Sequence, residues 1–205
     1  MQESHLAARS TYFHGNSFAV GMGWGAFAAT LLMLFILGLR PDLAEAVQLP
    51  MFWIKIAFTA TLVAASVLAA QRLSQPGVPL GWAPAGLATP VFAMWCLAAF
   101  ALARADRAEW PTLLLGGMWA MCMLFIVLLS LPVLIGMLWA LRRLAPPRLH
   151  EAGGAAGLVA GSTGGLIYAF HCPELAAPFI GTVYLFSMLI PVGLGVMIAP
   201  HVLRR

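Results

Sequence analysis

Six apolar runs dominate this chain, each close to the length of about 20 residues that a helix needs to cross the hydrocarbon core of a bilayer. They cover residues 18–39, 51–70, 86–103, 116–141, 152–170 and 178–199. The breaks between them are polar or rich in proline and glycine. Arg40-Pro41-Asp42 ends the first run, and the stretches 71–81 and 104–111 separate the next three. Three arginines and two prolines lie in 142–151, and His171-Cys172-Pro173-Glu174 divides the last pair. In lipid a spanning backbone must satisfy its own hydrogen bonds, so runs of this length are helices. The expected fold is all-α: a polytopic membrane protein with a six-transmembrane-helix bundle at 18–205 behind a short polar segment at 1–17.

Charged residues make up only 9% of the chain and hydrophobic residues 62%, against about 25% charged in a soluble domain. No polar stretch is long enough for a separate soluble domain. The polar leader 1–17 precedes an apolar run too long for a cleaved signal peptide, so the first span is expected to be retained. The net charge of +4 does not point to nucleic acid, because the basic residues sit at helix ends, where they report topology. Six spans put both termini on one side with Arg9, Arg72, Arg142, Arg143, Arg148, Arg204 and Arg205, against Arg40, Lys55, Arg104 and Arg107 opposite. This bias places both termini in the cytoplasm of a bacterial inner membrane. The lipid bilayer is then the first partner, no direct nucleic-acid contact is expected, and the His171-Cys172 loop faces the oxidising periplasm.

Gly153, Gly157, Gly161 and Gly165 recur every four residues and form a small-residue face. Such a face lets a second backbone approach closely in lipid. Its default use is packing inside the bundle; a homodimer seam is the alternative, and the oligomeric state stays open. Gly21 and Gly25 read the same way. Pro132 and Pro191 are expected to kink their helices, but no internal repeat supports a transporter. Gly21-Met22-Gly23-Trp24-Gly25 lies inside an apolar helix without a preceding strand, so it fails the context of a nucleotide-binding loop. Lys55, about a turn from its helix end, is expected to snorkel to the interface. The spans hold no buried carboxylates or histidines for proton coupling, and no nucleophile–base or carboxylate pair suggests an enzyme.

Sulfur and imidazole remain. Counting about 20 residues back from Arg142 puts Cys122 near the outer boundary, and Cys172 caps the outer end of the fifth span. Two thiols distant in sequence therefore reach a similar depth, while Cys96 lies deeper. The pair suits a reversible disulfide if the helices are adjacent. It equally suits a soft metal ion: His171 flanks Cys172, Met118, Met121 and Met123 flank Cys122, and such ligands fit Cu(I) or Zn(II). No cofactor is obligatory, and buried cysteines also serve as plain small hydrophobes. The absence of a CxxC weighs against a thiol oxidoreductase.

These residues resemble a known family. Gly38-Leu39-Arg40-Pro41-Asp42-Leu43, Lys55, Gln75-Pro76-Gly77, Met118-Trp119-Ala120-Met121-Cys122, Leu141-Arg142-Arg143 and Ala145-Pro146 all match it. So do Tyr168-Ala169-Phe170-His171-Cys172-Pro173-Glu174 and the closing Ala199-Pro200-His201-Val202-Leu203-Arg204-Arg205. The chain is similar over roughly residues 37–205 to the NrsF family, six-helix membrane regulators that oppose extracytoplasmic-function sigma factors. The resemblance implies an anti-sigma factor that sequesters such a sigma factor and releases it on metal or oxidative stress in the periplasm. It implies that Cys122 and Cys172, with His171 beside them, are the sensor, with Met118 and Met121 as auxiliary soft ligands. Cys96 matches no family cysteine and is expected to be core packing. Family members carry a longer N-terminal segment with a Pro-Val pair that 1–17 lacks, so contacts to the partner are expected from Arg9, Arg142, Arg143 and Arg148. The rival readings are a small transporter or metal-handling membrane protein, and a non-sensing assembly partner.

Overall fold

The computed structural model describes residues 2–75, 77–144, 146 and 148–203, with side chains from residue 17 onward. Among the described residues all regular structure is helical: α1 (Gln2–Ile36), α2 (Leu43–Ala46), α3 (Pro50–Leu73), α4 (Ala83–Arg104), α5 (Trp110–Leu115), α6 (Trp119–Leu144), α7 (Leu149–Tyr168), α8 (Ala177–Phe179) and α9 (Leu185–Leu203). A π-helical turn, Ile180–Tyr184, joins α8 to α9. Gly38, with φ +70°, ends α1 by donating its N–H to Met33 O at 2.9 Å. Only glycine takes up that left-handed conformation without cost.

Five stretches among the described residues are long and apolar enough to cross a membrane: Ser17–Ile36, Pro50–Leu73, Ala83–Arg104, Arg107–Leu144 and Ala177–Leu203. Their outward faces carry large apolar side chains, with Phe35 and Trp82 each 85% exposed and Trp24 and Phe92 each 70%. An apolar surface of this extent suits lipid as its solvent better than water. The expected run 152–170 is the exception to the count. It forms α7, a helix of 20 residues, but its glycines, Ser162 and Thr163 dilute its apolar character below that of the other five.

Its position explains the composition. α7 is the inner helix, packed against α3, α6 and α9, and most of its residues are buried. A methyl added at Gly157 would lie 2.1 Å from Pro191 O, and one at Gly161 2.3 Å from Met188 O. At Gly153 it would meet Gly195 O at 2.3 Å, and at Gly165 the Met188 Cε at 2.3 Å. The glycine face thus meets α9 of the same chain nearly backbone to backbone. On α1, Gly25 abuts Pro132 and Val133, and Gly21 abuts Gly136, so α1 lies equally close to α6.

Two expectations change. Cys96 is exposed on the outer face of α4 and is not core packing; its neighbours Met94 and Ala98 take the inward positions. Lys55 does not snorkel outward. It is fully buried, because protein groups take the place of water around its ammonium.

Candidate functional site

Cys122 sits in the first turn of α6, and Cys172 in the turn that follows α7. These ends come together because α6 and α7 pack side by side and run in opposite directions across the short connection at 145–148. The buried stripe of α6 runs Cys122, Ile126, Leu129, Val133, Met137, Leu141, the three- and four-residue spacing of one helix face. That register turns Cys122 inward. Its sulfur lies 3.9 Å from that of Cys172, and both residues are buried. A closure of about 2 Å would convert this contact into a covalent bond.

The turn Phe170-His171-Cys172-Pro173-Glu174 is fastened on several sides. Arg40 N–H donates to Phe170 O at 3.2 Å, and His171 Nδ1–H donates to Gly38 O at 3.0 Å. Lys55 Nζ donates to Cys172 O at 3.2 Å and Glu174 O at 2.9 Å. Gly117 N–H points at Glu174 Oε1 at 3.4 Å. The turn therefore holds together the end of α1, the start of α3 and the start of α6.

Tyrosines complete the surroundings. The Tyr168 hydroxyl donates to Cys122 Sγ at 3.3 Å, which leaves the Cys122 S–H free to donate to Cys172. Tyr184, fully buried, lies with its ring centroid 4.6 Å from Lys55 Nζ. The π-helical turn sets Tyr184 into the bundle, and Thr182 Oγ1 within that turn bonds Leu114 O at 2.9 Å and Pro178 O at 2.7 Å. The Cys172 thiol is held below the ordinary thiol range. The hydrogen bond from Cys122 is the largest cause; burial opposes it, and the Lys55 charge reinforces it.

The other expected ligands stand elsewhere. Met118 precedes α6 and Met121 lies about 100° around the helix from Cys122; they are 58% and 51% exposed. His171 is committed to Gly38, 5.7 Å from the Tyr168 ring, so it anchors the turn. No group of three His, Cys, Asp or Glu side chains able to hold a metal occurs among the described residues.

At the opposite end of the bundle, Arg142, Arg143 and Arg148 are exposed. Arg143 stacks on the Trp139 ring at 4.0 Å, and Arg148 pairs with Glu151 at 3.2 Å. Arg9 lies outside the residues whose side chains are described. Spacing alone does not mark Lys55, Tyr168 or Tyr184 as site residues. The available signal for Lys55 was a charged residue inside an apolar span, which is costly and usually functional.

A thiol pair thus lies at one end of the apolar bundle and exposed arginines at the other, and comparison with known proteins adds the family. The family profile described as "NrsF: Negative regulator of sigma F" matches residues 5–204, and the chain belongs to this family. Among its relatives is the "Probable anti-sigma-F factor NrsF" of Azospira oryzae, 48% identical over 187 residues, covering 91% of this chain and 88% of the relative. The "Anti-sigma-F factor NrsF" of Caulobacter vibrioides is 39% identical over 175 residues, covering 83% and 80%. No solved structure matches the chain.

Proposed function

We propose that this protein is a multi-pass inner-membrane anti-sigma factor, with six spans and both termini in the cytoplasm. It holds an extracytoplasmic-function sigma factor at the membrane and releases it when Cys122 and Cys172 join on the periplasmic side. The observation that carries this reading is the 3.9 Å approach of two buried sulfurs in a chain whose relatives are named for opposing a sigma factor. Counting α7 as the sixth span rests on its burial at the centre of the bundle. The orientation rests on seven of the eleven Lys/Arg residues lying on the side of the termini.

Two sulfurs without a third His, Cys, Asp or Glu ligand beside them among the described residues favour thiol–disulfide chemistry over metal ligation. A peroxide accepts two electrons from the pair, one S–S bond forms, and the two thiol protons leave with the reduced oxidant. The closure draws on a turn that is fastened to α1, α3 and α6, so these helices shift together. Their far ends reach the face that carries Arg72, Arg142 and Arg143, where the partner is held.

The test is a reporter under a promoter that depends on the sigma factor, challenged with peroxide or metal. Cys122→Ser and Cys172→Ser should each abolish the change in induction, and the sigma factor should co-purify with the wild-type chain before challenge only. Unchanged induction in both variants would remove the sensor. Failure of the sigma factor to co-purify under any condition would remove the partner.

A further inference from the structure

Lys55 enters the relay above only as a fastening of the Cys172 turn, yet it is a fully buried charge. A buried ammonium is strongly unfavourable unless it is paired with an opposite charge. Among the described residues the ion pairs are Arg40–Asp42 and Arg148–Glu151, so Lys55 has no carboxylate partner. Its two close acceptors are the carbonyls of Cys172 and Glu174, which are neutral. The Tyr184 ring adds a favourable face but no charge. The group beside Lys55 that can become an anion at modest cost is the Cys172 thiol.

We infer that Lys55 is the positioning residue of the thiol pair: its buried ammonium has the Cys172 thiolate as counter-charge, which makes Cys172 the attacking sulfur and Cys122 the resolving one. The inference rests on the thiol–disulfide reading above. The charged and titratable groups facing Cys172 are Lys55 from α3, Cys122 from α6, Tyr168 from α7, Tyr184 from the π-helical turn and Arg40 from the loop after α1. Arg40 is already balanced by Asp42 at 2.6 Å. The Tyr168 hydroxyl donates to Cys122, and the Tyr184 hydroxyl faces Cys172 itself and carries no charge. Lys55 is thus the one unbalanced charge of the set.

The chemistry proceeds in two steps with a hydroperoxide as oxidant. The Cys172 thiolate attacks the terminal peroxide oxygen; an S–O bond forms, the O–O bond breaks, and the alkoxide leaves and takes up a proton. The Cys122 sulfur then attacks the Cys172 sulfenic acid; the S–S bond forms, and hydroxide leaves with the Cys122 proton as water. Two thiols and one hydroperoxide give one disulfide, one alcohol and one water.

The experiment uses the full chain in detergent micelles, carrying Cys96→Ser to remove the exposed third thiol. It is challenged with hydrogen peroxide from pH 5.5 to 9, quenched with a maleimide and scored for disulfide by mass spectrometry. With Lys55 present the oxidation rate should change less than about twofold between pH 8 and pH 6. In Lys55→Met, which keeps the Cys122 hydrogen bond but loses the charge, it should fall at least about fivefold from pH 8 to pH 6, as the thiol moves back toward the ordinary range of about 8.5. Lys55→Arg should restore the flat profile. A dimedone trap should label Cys172 in Cys122→Ser, and Cys122 in Cys172→Ser at least tenfold more slowly. A flat profile in Lys55→Met, or equal trapping of the two cysteines, overturns the inference. If Lys55→Met does not fold, a parental profile that itself falls by that much overturns it, and a flat one with preferential Cys172 trapping supports it. No disulfide at any pH would instead refute the thiol–disulfide reading itself.

Discussion

Replacing Gly157 by alanine adds one methyl group at a point where two helix backbones already touch. The new Cβ would lie 2.1 Å from Pro191 O and 2.6 Å from both Pro191 C and Val192 Cα. All three are backbone atoms, so no side chain can rotate away. Ordinary contact begins at 3.4 Å, and α9 would have to recede by more than an ångström along its central stretch. Two effects compete. Alanine gains about 1 kcal/mol over glycine in helix propensity, while overpacking costs about 1–3 kcal/mol. With rigid backbone on both sides the upper end applies, and the net loss is about 2 kcal/mol. For a chain of this size that lowers the melting temperature by about 4–8 °C, measured by thermal unfolding of the purified full chain in detergent. Gly23→Ala is the control, because a methyl there meets nothing within 4 Å and keeps the propensity gain. Equal melting temperatures for Gly157→Ala and Gly23→Ala would refute the backbone-contact account.

Two further predictions rest on charge and exposure. The Arg40 hydrogen bond holds Asp42 below the usual carboxylate range, so its stabilisation is fully present above about pH 3.9 and is lost as pH falls through the lower folded value. Asp42→Asn should therefore melt below the wild type from pH 7 down to pH 5, with the two curves converging only below about pH 4; convergence already at pH 5 would contradict the pairing. Cys96, exposed on α4, should react with a membrane-permeant maleimide in the folded protein at least tenfold faster than Cys122 or Cys172. Cys96→Ser should leave reporter induction unchanged, and a loss of induction would assign Cys96 to the sensor.

The thiol pair is legible in the sequence because depth in a membrane follows from counting residues, and two counts from fixed anchors converge on one level. Which side chains accompany the thiols was not. Met121 neighbours Cys122 in sequence but lies around the helix from it, and Met118 falls just before the helix begins. Lys55 was misread for a related reason. Its acceptors stand 117 and 119 residues away, so a local reading offered it only the interface. The glycine period of α7 announced close packing, while its partner helix emerged only from the tertiary arrangement. The same glycines make α7 less apolar than its neighbours, which is why length and composition alone identify five of the six expected spans.

That arrangement bears on how the protein is made. α7 leaves the ribosome before α9, and its glycine face is covered by Pro191, Met188 and Gly195, all supplied by α9. Until those residues arrive, α7 has neither a strongly apolar surface to offer lipid nor a partner for its backbone-lined groove. Synthesis runs from the N-terminus, and domains complete only when their last packing element is available. The central helix is thus the last to find its place, and the Cys172 turn at its end acquires its final setting only when the chain is nearly complete.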